Sequence, residues 1–154
     1  MGTSYLVRHA KAGRRHDWKG DDRERPLSGP GRRQAAALAE RLAERFVTSL
    51  WSSPYRRCVQ TLEPLGERTG LMVERDDRLA EGARVEHVMA LLRDGGDGAV
   101  LCSHGDVVPE VVEALIRRGA AVASDPDWRK ASIWVLEFDG DGTVLSVRAE
   151  PPPT

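Results

Sequence analysis

Tyr5-Leu6-Val7-Arg8-His9 decides how the rest of the chain is read, because a short apolar run ends there on a cation and an imidazole. A second stretch repeats the arrangement: Val100-Leu101-Cys102-Ser103 runs into His104-Gly105. Both read as buried strands, so two histidines project from two strand ends. Between them, a third strand over about Val47 to Trp51 breaks at Ser52-Ser53-Pro54, and a helix carrying Arg56 and Arg57 begins. In an open parallel sheet, ligands bind in the crevice outside the carboxyl ends of the strands. The three segments are expected to meet there.

Working outward, Ser28-Gly29-Pro30-Gly31 reads as a helix start with Ser28 as its cap. Leu38, Leu42 and Phe46 then recur every four residues, with Glu40, Arg41, Glu44 and Arg45 on the other side, which predicts an amphipathic helix. Ser53 and Pro54 predict the opening of the second helix, Ser53 as cap and Pro54 at the first helical position. Pro64 predicts a kink or break in it near Leu62. Leu71 to Arg75 reads as a short strand, Arg84 to Arg93 as a helix, and Asp106 to Arg118 as a helix capped by Asp106. Ser132 to Phe138 and Thr143 to Val147 flank Asp139-Gly140-Asp141-Gly142, a hairpin signal. Strands alternating with helices before a terminal hairpin predict an α/β fold, a three-layer α/β/α sandwich with a mostly parallel central sheet.

The 154 residues fit one domain, expected over 1–150, with 151–154 a disordered proline-rich tail. A formal net charge of −1 excludes a nucleic-acid-binding polycation. From Arg8 to Arg33, however, nine lysines and arginines face four acids, a local excess that suits an anionic ligand. Cys58 and Cys102 are too few for a disulfide framework, and no stretch approaches the roughly 18 apolar residues of a spanning helix. A cytoplasmic protein without membrane contact is expected. Nothing in the sequence fixes an oligomeric state.

Five ordered blocks carry a family resemblance: Leu6-Val7-Arg8-His9-Ala10; Arg25-Pro26-Leu27 with Gly31 and Gln34-Ala35; Ser53-Pro54 with Arg57 and Gln60-Thr61; Leu79-Ala80-Glu81-Gly82; and Ser103-His104-Gly105. Together they resemble the histidine phosphatase superfamily, with its phosphoglycerate mutase-like fold. The likeness is to the compact branch that includes SixA-like phosphohistidine phosphatases and Nudix-associated phosphatase domains. The resemblance implies that His9 is the nucleophile, that Arg8, Arg57 and His104 hold the phosphoryl group, and that Glu81 is the proton donor. The resemblance gives Arg57 the role ahead of Arg56, because the family's arginine stands three residues after the proline and four before the threonine, as Arg57 does from Pro54 and Thr61. Lys11, Arg56 and Lys130 are further candidates for binding substrate. Trp18 and Trp128 are candidates for the pocket mouth, with core edges as the plainer reading.

The residue types suit that chemistry independently. Charge spreads over the equatorial oxygens of a phosphoryl group in transfer, and fixed cations and donors must meet it. Arginine's planar fork spans two such oxygens and stays charged. An imidazole can attack through one nitrogen while the other is held as N–H by an acceptor. The expectation is therefore a metal-independent phosphatase that hydrolyses a phosphomonoester or phosphohistidine through a phosphohistidine intermediate on His9. A phosphoglycerate mutase-type phosphotransferase and a noncatalytic phosphate-binding module are the alternatives. The cysteines and histidines show no recognised ligand spacing, so neither metal nor cofactor is expected. The expected partner is a phosphorylated small molecule, a nucleotide among the options, or a phosphohistidine protein.

Overall fold

The first strand, β1 (Gly2–Arg8), lies in the middle of the sheet, and the chain builds outward from it in both directions. In the computed structural model, which describes residues 1–153, it is followed by α1 (Gly29–Ala43), β2 (Ser49–Ser52), α2 (Arg56–Thr69) and β3 (Val73–Arg75). Then come α3 (Val85–Gly95), β4 (Ala99–Ser103), α4 (Val107–Arg117), β5 (Ala121–Val122), β6 (Ile133–Phe138) and β7 (Val144–Glu150). Single 3-10 turns occupy Arg15–Asp17, Asp22–Glu24 and Asp77–Leu79. The seven strands form one sheet in the order β3-β2-β4-β1-β6-β7-β5. Only β6 runs against the others, so the sheet is mostly parallel, with the C-terminal hairpin supplying its antiparallel pairs.

Side chains alternate across β1 and β4 and divide the core into two layers. Leu6 and Leu101 pack with Val88, Val111, Leu115 and Trp134 beneath α3 and α4. Tyr5, Val7, Val100 and Cys102 pack with Leu38, Leu42 and Leu62 beneath α1 and α2. Apolar residues on both faces are what a strand covered by helices on both sides requires, and each fully buried leucine contributes roughly 1.5–3 kcal/mol. These layers make the three-layer sandwich.

Several local expectations need correction. The first helix ends at Ala43 and Phe46 is exposed, because the N–H of Arg45 turns back to the carbonyl of Leu42 and closes the helix before Phe46. The second helix begins at Arg56 with Tyr55 at its cap, so Pro54 lies before the helix and not at its first position. Ser53 Oγ still accepts from the N–H of Tyr55, at 3.2 Å. The second helix continues through Pro64 to Thr69 without a break near Leu62, held on both sides of the proline by buried Leu62 and Leu65. Asp106 stands at the cap of α4 without a side-chain capping bond, and β5 is a strand that no sequence signal announced. Ser28 does cap α1, accepting from the N–H of Gly31. At the C-terminal end the carbonyl of Pro151 accepts from Arg41 Nη1 at 2.9 Å, and Thr154 lies outside the described residues.

Candidate active site

Sheet register brings three strand ends level. Arg8 pairs opposite Ser103, and Ser52 opposite Cys102, so His9, His104 and Ser53 each stand one residue past the ladder at adjacent carboxyl ends. The N–H of His9 reaches the carbonyl of Ser103 at 3.0 Å and the N–H of Ser53 that of Cys102 at 3.0 Å, which fixes the starting point of each loop. The rings of His9 and His104 lie edge to face, with centroids 5.6 Å apart. Both line a cleft of about 600 Å³.

The tautomer of His9 follows from its partner. Nδ1 sits 2.7 Å from the carbonyl oxygen of Ala10, which can only accept, so Nδ1 carries the proton and Nε2 keeps a lone pair. Burial, and then the charges of His104, Arg57 and Arg8, outweigh the opposing effect of the Ala10 carbonyl and depress the pKa of His9 to about 3. The ring is neutral at physiological pH. Its loop is held by residues of the family-like blocks: Thr61 Oγ1 accepts from the N–H of Ala10, Gln34 Oε1 from that of Lys11, and Gln60 Oε1 from that of Leu27.

His104 is oriented by Ser53, whose Oγ lies 2.8 Å from Nε2. Nδ1 of His104 has no partner among the described residues and is open to the cleft. Arg8 donates through Nη1 to the carbonyl of Trp128 at 2.6 Å, while its buried Nε has no partner among the described residues. A Cβ on Gly105 would lie 2.7 Å from the Arg8 guanidinium, so glycine there allows the close approach. Trp128 stacks on Trp134 with ring centroids 4.9 Å apart, which places it at the core edge, and Trp18 donates to the carbonyl of Asp21.

Arg57 is 1% exposed. Its Nη2 is shared by Asp22 Oδ2 and Glu81 Oε2, both at 3.2 Å, and its Nη1 donates to the carbonyl of Asp22 at 2.9 Å. Glu81 also accepts from Arg15 Nη2 at 3.1 Å. The turn carrying Glu81 is tied down on two sides: Ser103 Oγ donates to the carbonyl of Leu79, and Asp106 Oδ2 accepts from the N–H of Gly82. Burial works against ionisation of Asp22, but its bond to Arg25 and the charges of Arg57, Arg25 and Arg15 hold that carboxyl below the usual range.

The cleft brings together Arg8, His9, Arg57, Glu81 and His104, with Lys11 and Lys130 also on its walls. Arg56 is exposed and does not line it, because neighbouring positions on a helix point in different directions. Sequence reasoning missed Asp22, Arg15 and Arg25. Arg25 carried a signal, since it opens the Arg25-Pro26-Leu27 block; Asp22 and Arg15 lie in a polar loop without periodicity. A neutral imidazole with a free nitrogen, sharing a cleft with two guanidinium groups and a second imidazole, pairs a nucleophile with cations that can meet negative charge.

The chain belongs to the histidine phosphatase superfamily: the family description "Histidine phosphatase superfamily (branch 1)" matches residues 4–83. Among curated proteins it is similar to the 8-oxo-(d)GTP phosphatase of Mycolicibacterium smegmatis, 36% identical over 98% of this chain and 48% of that protein. It is also similar to the glucosyl-3-phosphoglycerate phosphatase of Mycobacterium tuberculosis, 51% identical over 36% of this chain and 25% of that one. The chain spans less than half the length of these curated relatives. Its fold is that of the protein histidine phosphatase SixA complexed with tungstate, with a TM-score of 0.73, 22% identity and 92% of each chain covered. Among the described residues, no helix is long and apolar enough to cross a membrane.

Proposed function

We propose that this chain is a phosphatase that works through a transient phosphohistidine on His9. The observation that carries this reading is the free Nε2 of a neutral, tautomer-fixed His9 in a cleft shared with Arg8, Arg57 and His104. In the first displacement a bond forms between Nε2 and phosphorus, the bond from phosphorus to the leaving oxygen breaks, and Glu81 gives that oxygen a proton. The two guanidinium groups and Nδ1–H of His104 meet the charge on the equatorial oxygens. In the second, water attacks phosphorus, Glu81 takes its proton, the P–N bond breaks and orthophosphate leaves. Charge neutralisation comes from the side chains themselves, so we assign no metal or cofactor to the reaction.

The substrate is a phosphorylated small molecule or a phosphohistidine protein. The names of the relatives span both kinds, from 8-oxo-(d)GTP phosphatase to protein histidine phosphatase. Rapid quench with a labelled phosphodonor tests the mechanism. Acid-labile, base-stable label on the wild type, with loss of label and a ~10³-fold or greater loss of turnover in His9→Ala, is the expected result. A fully active His9→Ala protein rejects it. Activity is expected to survive EDTA.

A further inference from the structure

The cations of the cleft differ in how they are compensated. Its walls carry seven lysine and arginine side chains against two carboxylates, Glu81 and Asp106. Arg15, Arg25 and Arg57 are held by Asp22, the first and last also by Glu81. Asp106 is engaged with the N–H of Gly82. By contrast, Lys11, Arg14 and Lys130 have no carboxylate partner among the described residues, although they line the same cleft. A phosphoryl group seated among Arg8, Arg57 and His104 leaves these three outer cations unmatched.

Lys11 and Lys130 come from opposite ends of the chain, yet the backbone ties both to the nucleophile. Lys11 follows His9 by two residues. Lys130 precedes Ala131, whose N–H is shared by the carbonyls of Arg8 (3.1 Å) and His9 (3.2 Å). Ala131 is fully buried and holds a left-handed backbone with φ of 68°, a conformation that costs a non-glycine residue on the order of 1–3 kcal/mol and is retained here beside the cleft. The crowding is felt at Lys130: burial first, then the charges of Arg8, Arg25, Lys11 and Arg57, lower its pKa. Lys11 and Lys130 have no acid to offset their repulsion, and an anion bound between them relieves it.

We infer that Lys11, Arg14 and Lys130 form a subsite for a second phosphate, one bridging oxygen from the phosphoryl group on His9, so that the preferred substrates are phosphoanhydrides of the diphosphate class. The inference rests on the phosphatase reading for its chemistry. The bond between the terminal phosphorus and the bridging oxygen breaks, its electron pair goes to the second phosphate, and the bond from phosphorus to Nε2 of His9 forms. The outer cations stabilise the phosphate that leaves, and water then releases orthophosphate from His9.

Two non-hydrolysable probes separate this subsite from catalysis: methylenediphosphonate, which offers two phosphoryl groups, and methylphosphonate, which offers one. Calorimetric titration of the wild type should show the diphosphonate binding at least ~10-fold more tightly, and Lys11→Ala/Lys130→Ala should bring that ratio to within ~2-fold of unity. Lys11→Arg/Lys130→Arg should keep the ratio above ~5, and Lys19→Ala, outside the cleft, should leave it as in the wild type. Equal affinity for the two probes in the wild type, no binding of either, or a ratio that survives the double alanine variant each overturns the subsite. The quench experiment on His9 is unaffected by these outcomes. Failure of labelling with the affinity ratio intact instead rejects the covalent mechanism and leaves the subsite standing.

Discussion

Ser53 Oγ stands 2.8 Å from Nε2 of His104, and this bond determines which nitrogen of the ring faces the cleft. The same oxygen accepts from the N–H of Tyr55, which leaves the hydroxyl proton free to point at the imidazole. When the hydroxyl donates to Nε2, the ring proton resides on Nδ1, on the side open to the cleft. A residue one position past β2 thus sets the donor offered by a residue one position past β4.

Ser53→Ala removes that orientation and leaves the buried Nε2 with only the weak contact to Cys58 Sγ at 3.6 Å. It should lower stability by about 1–3 kcal/mol and kcat/KM by ~10–100-fold. Chemical denaturation and steady-state kinetics measure the two effects, and nitrogen NMR of the His104 ring reads the tautomer directly. An unchanged tautomer with unchanged kcat/KM contradicts the assignment.

Gly105→Ala places a Cβ within 2.7 Å of the Arg8 guanidinium, the far end of a flexible side chain. The fold can absorb this by moving the guanidinium, so the expected signature is a stability change of less than ~1 kcal/mol with a ~10-fold or larger fall in kcat/KM. A melting temperature that collapses while the surviving folded fraction keeps full activity points the other way.

Gly31→Ala is the opposite case. Its Cβ would sit 1.8 Å from the backbone oxygen of Lys11, which is fixed by bonds from Ser28. Because backbone must give way, a loss of ~2 kcal/mol or more is expected. Thermal melting beside the wild type decides it.

His9 carries a pH signature. Its pKa is about 3 in the folded chain against an ordinary 6.5, so an unfolded chain takes up a proton here that the folded chain refuses. The group therefore makes stability fall as pH drops from about 6.5 to about 3, with a slope of up to about 1.4 kcal/mol per pH unit, and has no such effect above that window. His9→Asn should flatten urea-denaturation stability across that window relative to the wild type. Parallel curves for the two proteins count against the depressed pKa.

Glu81→Gln separates substrates by leaving group. Rates for an alkyl phosphate, whose leaving oxygen needs a proton, should fall ~100-fold or more, and those for p-nitrophenyl phosphate ~10-fold or less. Equal losses on both would assign Glu81 to holding Arg57 and Arg15 instead.

Much of this was legible where local chemistry and tertiary structure agree. The apolar runs ending at His9 and His104 marked buried strands, and the family resemblance, through its spacing from Pro54 to Thr61, separated Arg57 from Arg56, which the helix turns outward. The sequence was opaque where contacts span long separations without periodicity. Asp22 reaches Arg57 across 35 positions, and Arg15 reaches Glu81 across 66, from a loop whose composition reads only as charged. Helix bounds slipped for a related reason. Phe46 continues the four-residue spacing, but the turn at Arg45 removes it from the helix, and Pro64 is carried through by core packing that a local rule does not see.

The central place of β1 has a consequence for biosynthesis. Tyr5 pairs with Val100 on one side and Val135 on the other, so the strand that delivers His9 finds neither neighbour nearby in the chain. Closing contacts of such length is slow. On the ribosome, β1 is made well before β4 and β6, so translation intermediates present an unpaired, aggregation-prone strand until both neighbours have left the exit tunnel.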